Sequence, residues 1–283
     1  NTKLGINGEF DLNKFDTLFL NLKSKLSFRY QQKGNNYIQF YYQNINSALL
    51  STDTILVRNL QKLPDNNPYK IDNYGFALFQ QDIDYIPNPR KGYSTKLDLA
   101  LGQRTVLRNT EISAVKFYDD ESNKMVSLYD TAQLKSLRGN VHLELEGFIP
   151  VRKSSTIYQK VKLNALIADQ YFFNELYNFG GYSSLRGFDE NEFFASKTLS
   201  YTAEYRYLIG QNSHVGLFVN AAAYENEIDG TEGLRDVPYG FGATANIQVG
   251  KGILNLAYAL GTQQGNPIQI RLAKFHFGVV NYF

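Results

Sequence analysis

Apolar and polar residues alternate along most of this 283-residue chain. In 239–249, for example, Tyr239, Phe241 and Ile247 alternate with glycine and polar residues. Successive side chains of a strand point to opposite faces, so each such segment predicts a strand with one apolar and one polar face. Twelve segments carry this pattern: 3–11, 16–30, 35–50, 72–86, 92–107, 136–151, 155–170, 196–209, 214–225, 237–249, 251–263 and 271–283.

The length of these segments separates two kinds of β protein. Strands of a soluble sandwich, the alternative fold, typically run about five or six residues. Strands that cross a membrane need roughly 9–11 residues because they are tilted. Most of the segments are at least that long, and no helical periodicity of useful length interrupts them. We therefore predict an all-β fold, a transmembrane antiparallel β-barrel of about 12 strands.

The connections between the predicted strands alternate in length. Outer-membrane barrels have short periplasmic turns and longer extracellular loops. Here the short connections read QKGN, PNPRK, RKS, QNSH and GK, and the long ones span 51–71, 108–135, 171–195, 226–236 and 264–270. Only the first outer connection, near Asn13–Phe15, is short. This asymmetry predicts that Phe283 ends on the periplasmic side.

The composition of the chain argues against several other classes of function. The formal net charge is +2, which gives no reason to expect nucleic acid as a partner, and the absence of cysteine excludes a disulfide framework and a thiolate zinc site. The three histidines lack metal-ligand spacing, and no catalytic or phosphate-loop motif is present. His142, Glu144 and Glu146 form the best cluster for a membrane enzyme, but lumenal charges balanced by Lys160 and Lys162 explain them better. We predict no enzyme activity, no cofactor and no metal.

The chain ends with KFHFGVVNYF, an alternating strand that finishes on an aromatic residue. It resembles the C-terminal signal of bacterial outer-membrane proteins, which their assembly machinery reads. We assign this signal to Phe275, Phe277, Gly278 and Phe283. Asn281 departs from the signal, because an aromatic or apolar residue is usual there.

The long connection 171–195 contains GGYSSLRGF, with Gly180 and Gly181 ahead of Leu185-Arg186-Gly187-Phe188. This motif resembles that of the sixth extracellular loop in a superfamily of outer-membrane assembly and transport barrels, which includes BamA, TamA and the two-partner secretion transporters. The resemblance implies that loop 171–195 folds back into the lumen. It also implies that Arg186 meets acidic residues on two following strands.

Alternation identifies the partners that such an arginine would reach. In 196–209 the apolar set faces lipid, so Glu204 faces the lumen, and by the same argument Asn220 faces the lumen from 214–225. Asn220 stands where the family usually has the second acid. We predict a loop lock centred on Arg186 and Glu204, with a hydrogen bond from the guanidinium to Asn220.

The resemblance also sets expectations about the extent of the chain. Relatives usually have sixteen strands and periplasmic POTRA domains. We expect residues 1–283 to form one outer-membrane barrel domain, with no POTRA domain in this chain, as a naturally short form rather than a truncated one. First and last strands that pair poorly would leave edges that a bilayer does not tolerate, so we also expect a homodimer.

The function expected from the resemblance is that of an outer-membrane biogenesis factor. It would assist the insertion or translocation of proteins or lipids without enzyme chemistry, through a weak seam between 3–11 and 271–283 and local thinning of the bilayer. Its partners would be lipopolysaccharide, phospholipid, and client or accessory outer-membrane and periplasmic proteins. The alternative is a passive outer-membrane pore with an open lumen.

Overall fold

The computed structural model describes residues 3–15, 18–52, 54–60, 62–119, 123–228 and 233–281. Its strands are β1 (Leu4–Phe15), β2 (Phe19–Gln31), β3 (Tyr37–Leu49), β4 (Tyr69–Ile83), β5 (Gly92–Val106), β6 (Lys116–Asp119), β7 (Lys124–Ser127), β8 (Lys135–Arg152), β9 (Ser155–Ala168), β10 (Tyr177–Phe179), β11 (Phe193–Ala195), β12 (Lys197–Gly210), β13 (Ser213–Asn226), β14 (Leu234–Asp236), β15 (Tyr239–Val249), β16 (Gly252–Thr262) and β17 (Lys274–Asn281). Three short helices are α1 (Thr54–Leu60), α2 (Thr110–Ala114) and α3 (Leu128–Thr131), and single 3₁₀ turns occupy Phe173–Glu175 and Ile270–Leu272.

Twelve long strands form the wall, and each pairs antiparallel with its neighbours in chain order. The order is β1-β2-β3-β4-β5-β8-β9-β12-β13-β15-β16-β17, and the short β14 adds to β13. The predicted all-β antiparallel architecture is thereby confirmed. Five short strands were not predicted, namely β6, β7, β10, β11 and β14, because three or four residues are too few to show a period.

The two faces of the wall differ as the alternation requires. On β13 the outward residues Val215, Leu217 and Val219 are exposed, whereas Phe218 and Asn220 at alternate positions are buried. On β3 the outward Phe40 is exposed, whereas the inward Gln39 is buried. A surface with apolar residues outside and polar residues inside matches lipid around the wall and a polar lumen within it.

The long connections form a cap over one end of the lumen. Buried Val57, Ile112, Leu128, Tyr129 and Phe172 come from different connections and join one apolar cluster with the ends of β3, β4 and β5. Two helices of this cap have side-chain N-caps. Asn109 accepts hydrogen bonds from two backbone N–H groups of α2, and Ser127 forms a capping box with Asp130 at the start of α3. None of the described helices is long and apolar enough to cross a membrane.

The two ends of the strand order have different surroundings. Within residues 3–15 and 274–281, no ladder joins β1 to β17. Nearly every residue of β1 is exposed, on both of its faces, whereas β17 keeps a half-buried inward face at Lys274, His276 and Gly278. β1 is therefore the least covered strand of the wall.

The orientation of β16 generates a test of the membrane assignment. We expect Leu256→Arg, on the outward face, to cost about 2–4 kcal/mol in the free energy of unfolding, because a charge at mid-bilayer is poorly solvated. The matched control is Asn255→Arg, one residue away on the inward face, which should cost much less. Urea unfolding in lipid vesicles measures both, and equal costs would contradict the assigned orientation.

Candidate functional site

The connection between β9 and β12, residues 169–196, lies against the inward faces of the wall. It carries β10 and β11, which pair with each other, and the GGYSSLRGF segment between them. In this loop, Glu175 forms an ion pair with a residue of β5, and Arg186 forms one with a residue of β12. Because Asn174 also donates to Ser47 on β3 and Asp189 pairs with Lys274 on β17, the loop runs through the lumen and contacts strands that lie far apart in the strand order.

The turn at the start of the motif depends on backbone that only glycine adopts readily. Gly180 has φ 125° and Gly181 has φ 84°. The Ser184 hydroxyl accepts from the Gly180 N–H at 2.8 Å and donates to the Gly180 carbonyl at 2.7 Å. These glycines and this serine thus build a defined turn.

Arg186 is buried in the lumen beside Glu204. Its Nη1 and Nη2 atoms lie 3.2 and 3.1 Å from Glu204 Oε2, and the two side chains are 9% and 3% exposed. The guanidinium carbon also lies 3.7 Å from the centre of the Phe218 ring. A charge-assisted hydrogen bond and a stacked aromatic ring both favour arginine over lysine at this position.

The second oxygen of Glu204 is also satisfied. Thr244 on β15 donates to Oε1 at 2.8 Å, and Arg206 Nε donates to it at 3.3 Å. His214 Nε2 lies 3.7 Å away. Buried carboxylates are tolerated when paired and hydrogen-bonded, and Glu204 has both kinds of partner. Thr244 and Arg206 were not expected to take part, although alternation does place them on the inward face.

Asn220 contacts the main chain of Arg186, whereas the sequence suggested a contact with the guanidinium. With its amide oriented to suit both neighbours, Asn220 accepts from the Arg186 backbone N–H at 2.6 Å and donates to the Gly240 carbonyl at 2.8 Å. An amide has both a donor and an acceptor, so it can bridge two backbone groups as a carboxylate cannot. Asn220 thereby joins the loop to β15.

Glycines on the wall let the motif lie directly on backbone. A Cβ at Gly240 would collide with the Arg186 carbonyl, and one at Gly261 would collide with the Gly187 carbonyl and the Phe188 ring. Gly187 itself has φ 103°, and a Cβ added to Gly187 would lie only 2.9 Å from the backbone nitrogen of Gly261. The contact between loop and wall therefore leaves no room for side chains on either side.

Apolar side chains of the motif form a buried cluster next to the Arg186 pair. Leu185 and Phe188 are buried in one cluster with Phe179, Phe193, Ala195, Ala222 and Tyr224. The Phe188 and Phe193 rings meet edge to face, with centroids 5.0 Å apart. Burial of the Arg186 pair strengthens its electrostatic attraction.

The loop also reaches the last wall strand. The Gly187 N–H points to His276 Nε2 at 3.4 Å, and Lys274 pairs with Asp189 at 2.7 Å. Both wall residues lie on the inward face of β17. The loop therefore braces the wall from β12 to β17.

A second buried ion pair fastens the other end of the loop. Arg104 on β5 lies 3.1 Å from Glu175, and the two side chains are 1% and 0% exposed. Arg104 also donates to the Gln170 carbonyl, and Asn174 donates to Ser47 on β3. Alternation places Arg104 on the inward face of β5, but no local pattern links positions 104 and 175.

The other candidate residues have separate surroundings. Phe275 and Phe277 point outward and are exposed, and Gly278 follows Phe277 on the inward face. Phe283 lies outside the described residues. His142 contacts Asn164 at 2.6 Å. Glu144 pairs with Lys96 and Lys160, as a balanced lumenal lining does. The described residues hold no cluster of three or more His, Cys, Asp or Glu side chains suited to a metal ion.

A wall of long antiparallel strands, apolar outside and polar inside, with a loop held within it, defines an outer-membrane β-barrel protein. A family model described as the Omp85 superfamily domain matches residues 1–283. The chain belongs to the Omp85 superfamily and is a protein of the bacterial outer membrane. Members of this family take part in outer-membrane protein insertion or secretion.

One solved structure shows the same fold at low sequence identity, and a second is more weakly similar. BamA from Haemophilus ducreyi lacking POTRA domains 1–3 matches with a TM-score of 0.63 and 15% identity, over 99% of this chain and 59% of that chain. CdiB from Acinetobacter baumannii matches with a TM-score of 0.46 and 14% identity, over 99% of this chain and 53% of that chain. The chain thus spans little more than half of each. No protein of curated function matches it significantly by sequence.

The buried pair generates a test of the loop lock. We expect Arg186→Ala to cost about 1–3 kcal/mol in the free energy of unfolding, because it removes two charge-assisted hydrogen bonds while Arg206 and Thr244 still hold Glu204. The folded band on a semi-native gel should unfold at a lower temperature. The control is Arg235→Ala, which removes an exposed arginine paired with Glu225. If the two variants behave alike, Arg186 does not hold the loop.

Proposed function

We propose that this protein is a non-enzymatic outer-membrane biogenesis factor that assists the insertion or translocation of proteins or lipids at its β1 edge. The observation that carries the proposal is the contrast between a braced β17 and an uncovered β1 at the two ends of the wall. The superfamily's involvement in insertion or secretion supports it.

An exposed strand edge is a template for another strand. β1 pairs with β2 from Leu4 to Phe15, which leaves its other edge without a ladder in the described residues. Unpaired backbone groups are costly in lipid, and an incoming strand satisfies them. An edge of this kind lowers the barrier for a client strand that enters the membrane.

The other end of the wall is held in place by the loop. Gly187 and Asp189 contact β17, while Arg186 fastens the same segment to β12. Movement at the seam therefore falls mainly on β1. The loop lock, in this proposal, keeps one side of the seam rigid while the other side opens.

A passive pore is the second candidate, and the inward loop argues against it. Side chains of the loop occupy the lumen from the β5 side to the β12 side. Planar-bilayer recording distinguishes the two candidates: a large, steady, ion-selective current favours the pore, whereas small or no conductance is expected here.

The β1 edge generates a direct test of the insertion activity. Gln31 N–H donates to the Lys3 carbonyl at 2.6 Å, and hydrogen-bonded pairs alternate along an antiparallel ladder, so the Ile6 N–H points to the free edge. We expect Ile6→Pro to remove this donor, leave the ladder to β2 intact and slow the folding of a small client barrel into vesicles several-fold.

The matched control keeps the donor and removes only the side chain. Ile6→Ala should fold clients at the wild-type rate, and both variants should show the wild-type unfolding temperature. Equal client folding by Ile6→Pro and the wild type would overturn a role for the β1 edge.

The same edge supports the proposed homodimer. Two copies that pair through β1 satisfy each other's backbone groups in the absence of a client. Native mass spectrometry in mild detergent should detect a dimer, and Ile6→Pro should shift it toward monomer. Only monomers for the wild type would count against the dimer.

A further inference from the structure

A second polar site lies in the lumen, away from the Arg186 pair. It is a cavity of about 260 Å³ bounded by β2, β3, β5 and β8 and closed on one side by loop residues Glu175 and Tyr177. The loop lock lies instead on β12 to β17, so the two sites share only the loop. Neither the fold nor the proposed insertion activity assigns a role to this cavity.

The charge lining this cavity is mainly positive. Lys23 and Lys25 face it from β2, and Arg138 faces it from β8. Of the two carboxylates in its wall, Glu175 is already paired with Arg104 outside the cavity. Three cations therefore face one remaining carboxylate, that of Asp98.

Asp98 does not neutralise these cations directly. Its carboxylate accepts a hydrogen bond from the Tyr41 hydroxyl, and Lys25 lies over the Tyr41 ring, 4.0 Å from its centre. Lys23 lies 3.9 Å from Asp11, but both side chains are largely solvent-exposed, and exposed pairs of this kind contribute little.

Arg138 is the residue that most clearly lacks a partner. It is 6% exposed, and neither its Nε nor its Nη1 atom has an acceptor among the described residues. A buried guanidinium without acceptors costs free energy, and an anion in the cavity removes that cost. Arginine with two neighbouring lysines is a combination that recognises phosphate oxygens.

Two other features around the cavity leave room for a ligand. Tyr41 lies across the backbone of Gly75, where any Cβ would collide with its ring. Ala100 on β5 is small and also lines the cavity. Space, charge and an unsatisfied donor therefore coincide at one place.

We propose that this cavity, which we call the Arg138 site, binds a phosphate group, with Arg138, Lys23 and Lys25 as its donors. The phosphate is either that of a lipid headgroup drawn into the lumen or that of a small soluble molecule. Because Glu175 and Tyr177 form part of the wall, the site is complete only while the loop is inward. Phosphate binding therefore stabilises the inward position of the loop.

The test is calorimetric titration of the full chain in a phosphate-free detergent. One arm uses inorganic phosphate as the probe, and the other uses mixed micelles with and without phosphatidylglycerol. We expect saturable binding with one site per chain in at least one arm. Arg138→Gln should weaken it at least about tenfold, as expected for the loss of charge-assisted hydrogen bonds.

The matched control is Lys162→Gln, an inward cation on β9 outside the cavity, which should bind like the wild type. If Arg138→Gln does not fold, Lys25→Gln provides the second variant, with several-fold weaker binding expected. Binding only to phosphatidylglycerol identifies a lipid headgroup, and binding to inorganic phosphate identifies a soluble ligand. No saturable binding in either arm, or equal loss in Arg138→Gln and Lys162→Gln, would overturn the proposal.

Discussion

The burial of Arg186 against Glu204 is the interaction on which the rest of the lumen depends. Two charges taken out of water are stable only when their geometry is good and their remaining groups are hydrogen-bonded. Here Thr244 and Arg206 complete the carboxylate, Phe218 stacks on the guanidinium, and Asn220 holds the adjacent main chain. These partners lie on β12, β13 and β15, so the pair ties the loop to all three strands.

Two ion pairs fasten the two ends of the loop to the wall, and the loop supplies the cation in one pair and the anion in the other. At one end the loop supplies the arginine, Arg186, and the wall supplies Glu204; at the other end the loop supplies Glu175 and the wall supplies Arg104. The loop therefore crosses the lumen between β5 and β12. This arrangement makes the wall asymmetric, since β17 is braced through Gly187 and Asp189 while β1 has no such support. It also encloses the cavity at Arg138, whose wall the loop completes.

Local pattern predicted most of the wall. A period of two is a property of neighbouring residues, so it placed twelve long strands and their inward faces, Glu204 and Asn220 included. Contacts between segments that are distant in the sequence could not be predicted from this pattern. The Arg104–Glu175 pair spans 71 positions, and the contact of Asn220 with the Arg186 main chain depends on how closely the loop approaches β13 and β15. Short loop strands such as β10 and β11 form because the loop is confined, and three residues carry no periodic signal.

The amino-acid sequence by itself determined the class of protein: alternation over long segments, alternating connection lengths and the LRGF motif specify an outer-membrane barrel with an inward loop. In the tertiary structure the glycines of this motif form a defined turn, in which Gly180 and Gly181 adopt positive φ and the Ser184 hydroxyl hydrogen-bonds to the Gly180 backbone. The motif and the alternation pointed to Glu204 as the partner of Arg186, but only the tertiary structure decided the other contacts of this pair and which charges stay unpaired. The reason is physical: an alternating pattern fixes the face on which a side chain lies, but burial and pairing depend on which distant segment covers that face.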